Sequence, residues 1–282
     1  MSSAKEAMAQ PLMAASEAVG SQNLSCASRQ GGAVCLPNRG ASGCPWWGTL
    51  DFAKFSTDEL IELLAACGDD APRRLAEAIV SRGAKALPWL CRLVSEERWW
   101  REEEGMLALH AMHLLGGIGD PSAASALLEP LRRNEDSDFI TEDMPGVLAR
   151  LGPKAIPELR EFVEDSLQDP VMRSVAYTGL VGMAELHPEL AEQVKQIGRD
   201  VATRCLLKGE PVPAVLGIDL AEYQDPADRK ILEKLHQRGL WEEGAFPWQE
   251  VLDAFREGRP EDQVEHATAD PMSWFGSGED KA

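Results

Sequence analysis

Two histidines have the spacing that comes nearest to a metal site. His110 and His113 are three positions apart, so on a helix they share one face and can approach the same ion. Zinc and iron require further ligands, and no carboxylate accompanies the pair at ligand spacing. Glu103 or Glu104 could approach from the preceding turns, which leaves a two-histidine site open. We expect helical histidines without a metal, and no stoichiometric zinc or iron in the purified protein.

The six cysteines form neither a zinc pattern nor a catalytic one. Zinc ligands usually come in close pairs, whereas three of the cysteines are spaced by nine with no histidine among them: Cys26, Cys35 and Cys44. The other three lie in apolar helical patterns, typical of small buried residues: Cys67, Cys91 and Cys205. No Gly-x-Ser-x-Gly pattern occurs, and no Lys-Ser or Lys-Thr pair follows the glycines at 116–119. We predict no catalytic residue, no metal and no cofactor.

Two pairs of adjacent aromatic residues are candidate partner contacts. Trp99 and Trp100 stand inside the charged run 96–104 and would form a recognition site if exposed. Because tryptophan is usually largely buried, we favour the alternative that one of them packs beneath a loop. Trp274 and Phe275 lie in an acidic segment near the C-terminus. Such a pair is typical of a short linear motif that binds a partner, or a groove of the same protein.

The overall charge disfavours several classes of partner. The chain has 282 residues and a formal net charge of −19. A polyanion repels nucleic acid and anionic membrane surfaces, so we expect neither as a partner. No apolar run is long enough to cross a bilayer, and the N-terminus lacks the basic and apolar segments of a secretory signal. We expect a cytoplasmic protein whose acidity serves solubility or basic partners.

A repeat of about 35 residues organises the middle of the chain. Segments that begin at Gly83 and Gly152 share Gly, Lys, Ala, Pro, Leu and Val in register. Three further segments begin at 120, 187 and 225, so five anchor positions follow at intervals of 37, 32, 35 and 38 residues. The flanking segments have apolar residues three and four apart, the period of amphipathic helices. One helical hairpin cannot bury both apolar faces, whereas stacked hairpins can.

The repeat predicts an all-α fold, an α-solenoid of about five helical hairpins with disordered ends. The solenoid is expected to span residues 46–258. Residues 1–45 are rich in Ser, Gly and Ala, and residues 21–43 have no helical or strand period. We therefore predict a disordered N-terminal segment, in which Lys5–Val19 could form a weak helix. Residues 259–282 are polar and acidic and are predicted to form a disordered tail.

Three segments carry a resemblance to a known type of repeat: Leu115-Gly-Gly-Ile-Gly-Asp-Pro121, Leu151-Gly-Pro-Lys-Ala-Ile-Pro157 and Asp169-Pro-Val-Met-Arg-Ser-Val-Ala176. They resemble HEAT repeats, in particular the short type of phycobilisome-lyase-like proteins. The chain is also similar to an uncharacterised bacterial HEAT-like family, through Ala108–Leu115, Thr141–Pro145 and Arg238–Phe255. Some members of that family end in a Cys/His zinc motif. No Cys follows Cys205 here, so that motif and its role are not carried over.

The sequence favours a non-enzymatic interaction or scaffold module that binds a protein or peptide. Small rotations between stacked repeats create a concave groove, which the second helix of each unit is expected to line. The candidate contacts are basic positions of those helices and the aromatic pairs: Lys85, Arg92, Lys154, Arg160, Lys195, Lys234, Trp99, Trp100, Trp274 and Phe275. The basic residues could equally serve only to solvate the helix faces. The alternative function, implied by the resemblance to lyase-type repeats, is a lyase or isomerase acting on a chromophore or protein substrate.

Overall fold

The computed structural model describes residues 50–69, 71–101, 105–134, 138–241 and 246–276. These residues form an all-helical structure without a strand. The segment predicted to be disordered, 1–45, lies outside the described ranges. No helix in them is long and apolar enough to cross a membrane.

Thirteen α-helices follow one another in the described residues, joined by loops and 3-10 turns. They are α1 Thr57–Ala66, α2 Arg73–Val80, α3 Leu87–Ser95, α4 Gly105–Ile118, α5 Ala124–Arg132, α6 Asp138–Ala149, α7 Ile156–Glu164, α8 Pro170–Leu186, α9 Ala191–Lys208, α10 Ala214–Ala221, α11 Pro226–Gln237, α12 Trp248–Glu257 and α13 Glu261–Ala267.

The helices pack in two rows. The first-helix row consists of α2, α4, α6, α8, α10 and α12, and each helix contacts the next one in the row. The second-helix row consists of α3, α5, α7, α9 and α11 and is built in the same way. Contacts between helices that are adjacent in sequence, such as α8 and α9, join the rows. The buried side chains therefore form one continuous core along the array.

The start of each second helix lies where the repeat predicts it. A 3-10 turn begins at or directly after four of the five anchor positions: Gly83–Lys85, Pro121–Ala123, Pro153–Ala155 and Pro188–Leu190. At the fifth, the Asp225 carboxylate accepts a hydrogen bond of 2.8 Å from the Ala227 N–H and caps α11. Proline suits these starts because a helix does not use the N–H groups of its first turn.

Equivalent positions of the second helices form the centre of the core. All five side chains are 0 % exposed: Leu90, Leu127, Leu159, Val194 and Leu232. Helix α4 of the first-helix row is buried even more fully, since every residue from 107 to 115 is at most 9 % exposed. A helix that is buried on all sides must be packed against other parts of the chain on both of its opposite faces. The helices α3 and α6 supply part of that cover, and the C-terminal residues supply another part.

Residues 259–276 contradict the expectation of a disordered tail over 259–282, and residues 277–282 lie outside the described ranges. Residues 261–267 form α13, and Pro271–Trp274 form a 3-10 turn. Ala267 and Phe275 are each only 2 % exposed. The segment lacks a regular apolar period, which is why it resembles a tail, but a few apolar side chains suffice where the receiving surface is already folded. We call residues 259–276 the strap.

Candidate functional site

The strap crosses the first-helix row in the direction opposite to the chain order. Its first residue, Arg259, contacts α8 and α10. Helix α13 then contacts α8 and α6, and the turn Pro271–Trp274 contacts α6 and α4. One short segment therefore bridges four helices of the row, which is the arrangement of a peptide lying in a groove.

At its N-terminal end the strap is held by a buried ion-pair cluster. The Arg259 guanidinium donates to Glu222 Oε2 at 2.5 Å, to Glu185 Oε1 at 2.8 Å and to the Asp219 carbonyl oxygen at 3.3 Å. The side chains of Arg259 and Glu222 are only 9 % and 2 % exposed. Burial raises the pKa of Glu222, while the Arg259 charge and hydrogen bond oppose that shift. Each charge in this cluster therefore depends on its partner.

In its middle part the strap lies so close to the first-helix row that two positions of the row have room only for glycine. A Cβ atom on Gly182 of α8 would overlap the carbonyl oxygen of Ala267. A Cβ on Gly116 of α4 would lie 2.7 Å from Pro271 Cγ. These glycines form the floor of a groove shaped to the strap, and Arg150 Nη2 donates to the Thr268 carbonyl oxygen at 2.7 Å.

At its C-terminal end the strap inserts two aromatic rings. Trp274 Nε1 donates to His110 Nδ1 at 2.8 Å, and its ring stacks on His113 with centroids 4.5 Å apart and an angle of 9°. Phe139 meets the same indole edge-on at 5.5 Å. Phe275 lies 5.6 Å from the His110 ring. Trp274 and Phe275 were predicted to bind either a partner or a groove of the same protein. They occupy a groove of their own chain.

The two histidines form the receiving surface for the indole ring. His110 Nε2 lies 2.8 Å from the Gly68 carbonyl oxygen, which can only accept a hydrogen bond, while the Trp274 N–H can only donate. Nε2 therefore carries the proton, and a neutral His110 accepts at Nδ1. In the described part of the chain, no group of three or more His, Cys, Asp or Glu has a geometry suited to a metal ion.

Four of the six basic positions singled out in the sequence lie on second helices as expected, whereas Lys85 and Lys154 lie in the 3-10 turns that precede α3 and α7. Three are paired: Arg92 with Glu96, Arg160 with Glu164 and Asp200, and Lys195 with Glu192 and Asp225. Lys85 and Lys154 are exposed in the 3-10 turns. Lys234 is exposed and, with Leu206 and Leu207, lines an open cavity of about 400 Å³. None of these six side chains forms a hydrogen bond, ion pair or ring contact with Trp99, Trp100, Trp274 or Phe275.

The tryptophan pair of the charged run is packed against the protein. Trp99 is 5 % exposed, and the Arg98 guanidinium lies 4.5 Å from its ring centroid. The Trp100 indole N–H donates to the Val94 carbonyl oxygen at 2.8 Å. The burial of Trp99 agrees with the favoured alternative, in which one tryptophan of the pair packs against the protein.

Cys205 is buried as predicted, whereas Cys67 and Cys91 are only half-buried. Burial raises the pKa of the Cys91 and Cys205 thiols. The higher pKa disfavours the thiolate that a nucleophile requires at these two positions.

Sequence reasoning missed the residues that receive the strap, above all Gly116, Gly182, Glu222 and Arg259. Two signals could have revealed them. Asp270-Pro271 repeats the Asp-Pro start of the repeat helices, and Asp270 accepts from the Met272 N–H at 3.0 Å as such a cap should. A glycine inside a helical pattern costs about 1 kcal/mol relative to alanine, so it is a candidate for a packing role.

Comparison of the chain with models of known protein families, with curated proteins and with solved structures finds no match. The geometry of the strap and its groove is therefore the basis for the function proposed below.

The buried Asp219 gives the strap region a pH-dependent stability. Burial raises the pKa of Asp219 from 3.8 to about 7, against the opposing effects of Arg259 and the Thr178 hydroxyl. Between these values the folded chain retains a proton that the unfolded chain has released. Ionisation therefore costs stability as the pH rises from about 4 to about 7.

We expect Asp219→Asn to remove this cost, because the amide oxygen can still accept from Thr178 Oγ1 (2.7 Å). Urea unfolding at several pH values should show the variant more stable than the wild type by more than about 1 kcal/mol at pH 8. The difference should shrink as the pH falls toward 4. A variant that is less stable at pH 8 would show that the ionised carboxylate supports the fold.

Proposed function

We propose that the chain is a HEAT-like α-solenoid and a non-enzymatic interaction module whose first-helix row binds a short peptide segment of a partner protein. The repeat register and the two helix rows support the solenoid. One observation carries the function: the strap already lies in this groove as a peptide would, held by hydrogen bonds, close backbone contacts and two aromatic side chains. The strap is the resident ligand, and a partner segment with similar features exchanges with it.

The contacts of the strap define what such a segment must contain. A basic residue pairs with Glu185 and Glu222. A small residue follows where the backbone passes over Gly182. An aromatic residue with an N–H donor completes the segment at His110. These features recognise a motif and not one particular protein, as is usual for peptide-binding grooves.

Tethering favours the strap over any free competitor. A segment joined to its own groove has an effective concentration on the order of millimolar. A partner peptide must therefore bind more tightly than the strap does, or act when the strap is weakened.

A labelled peptide with the sequence of residues 259–276 tests the proposal. The receptor is the full chain carrying Trp274→Ala and Phe275→Ala, which empties the aromatic end of the groove. Fluorescence anisotropy should show saturable binding of the peptide to this variant and at least about tenfold weaker binding to the wild-type chain. A peptide that carries the same two substitutions should not bind to the variant. Failure of a well-folded variant to bind the wild-type peptide would contradict the proposal.

A further inference from the structure

A cavity of about 140 Å³ lies where the strap meets α4 and α6. Cavities of about this size hold a small organic molecule. His113 forms its buried end, Asp143 lies beside His113, and the exposed rim includes Glu142, His266 and Asp270. Because the strap supplies part of the wall, the cavity exists only while the strap is docked.

His113 is a buried polar group without hydrogen bonds. The residue is 4 % exposed, and neither ring nitrogen has a hydrogen-bond partner among the described residues. Its Nε2 atom lies 3.5 Å from Asp143 Oδ2, which is too long for a good hydrogen bond. An unsatisfied buried group costs free energy, so the cavity is suited to an occupant that hydrogen-bonds to this ring.

The charges around the cavity determine the sign of that occupant. Three carboxylates line it, those of Glu142, Asp143 and Asp270, and no Lys or Arg is among the described lining residues. An anion is therefore repelled, and a cation is attracted. Since the described residues offer no metal-binding group, an organic cation fits better than a metal ion.

We propose that this cavity binds a protonated primary amine, either a small alkylammonium ion or the ammonium group of a lysine side chain. One ammonium placed beside Nε2 of His113 and Oδ2 of Asp143 donates to both atoms, and its third N–H faces the carboxylates of the rim. Charge-assisted hydrogen bonds of this kind are among the stronger ones in proteins. Amine binding requires that the strap is docked, but it does not require that a partner segment replaces the strap. The amine site is therefore independent of the proposed peptide-binding function.

The binding of an amine should also hold the strap in place. A ligand that contacts both the strap and α4 binds the docked state only, and so shifts the equilibrium toward docking. The cavity thereby makes occupancy of the groove sensitive to amines.

Titrations of the full chain with small probes test the proposal. The probes are n-butylammonium, 1-butanol as its uncharged counterpart, and tetramethylammonium, which has the charge but no N–H donor. Nα-acetyl-lysine methylamide and its Nε-acetyl derivative form the second arm. We expect saturable shifts of the Trp274 indole N–H resonance with butylammonium or the lysine derivative, and with neither uncharged probe nor tetramethylammonium. Tighter binding of butylammonium would identify a free amine as the ligand, and tighter binding of the lysine derivative would identify a lysine side chain.

Matched variants assign the binding to the cavity. Asp143→Asn should weaken binding at least about tenfold, equivalent to 1.4 kcal/mol. Asp138→Asn makes the same change on the same helix outside the cavity and should leave binding unchanged. Glu142→Gln provides a second rim variant if Asp143→Asn fails to fold. The proposal is wrong if neither amine gives a saturable shift, if tetramethylammonium binds equally well, or if Asp138→Asn weakens binding as much as Asp143→Asn.

Discussion

Replacing Leu159 by aspartate is expected to unfold most or all of the helix array. Leu159 is 0 % exposed at the centre of α7, and α7 contacts both α5 and α9 of its row. The substitution removes a buried apolar side chain and inserts a carboxyl group without a partner. Together these effects cost about 4 kcal/mol or more, a large part of the stability of a typical domain. Circular dichroism at 222 nm and urea unfolding should show lost helicity and lost cooperativity.

The same substitution at an exposed leucine is the matched control. Leu167 is 91 % exposed, so Leu167→Asp should change the free energy of unfolding by no more than about 0.5 kcal/mol. Wild-type helicity and cooperativity in Leu159→Asp would show that the repeat register and the core series are misassigned.

Replacing Arg259 by methionine is expected to have the next largest effect. The change removes the only guanidinium that contacts Glu222, Glu185 and Asp219 among the described residues. Glu222 would be left buried without its opposite charge, at a cost of about 3 kcal/mol. We expect lower stability in urea unfolding and faster proteolysis of the strap. Both defects should diminish at acidic pH, where Glu222 takes up a proton.

Arg256→Met makes the same change three residues earlier. Arg256 forms an exposed ion pair with Asp253, and such pairs contribute about 0–1 kcal/mol. Equal losses in Arg256→Met and Arg259→Met would mean that the buried cluster does not hold the strap.

The repeats could be predicted from the sequence because local signals agree there. Asp-Pro and Gly mark the start of a second helix, as at Asp120, whose carboxylate accepts from the Ser122 N–H at 2.9 Å. Buried positions such as Leu127 and Leu159 then recur at a fixed distance from that start. Capping and apolar spacing are properties of a few neighbouring residues, so a single sequence contains them.

The strap could not be predicted because its contacts are not local. Arg259 pairs with Glu185, which is 74 positions earlier, and Trp274 bonds to His110 across 164 positions. No period in a single sequence connects such residues. The roles of His110 and His113 were missed for the same reason, since their spacing indicates a shared face but not which side chain that face receives.

Hydrogen exchange of the full chain tests the claim that the strap is a ligand held by an independently folded row of helices. We expect the strap amides between 261 and 276 to exchange as one cooperative group, faster than those of α4, α6 and α8. Trp274→Ala should accelerate exchange in the strap while leaving the buried amides of α6 and α8 protected. Exchange of strap and row at a single common rate, in the wild type and in Trp274→Ala, would contradict the claim and make the strap an inseparable part of the core.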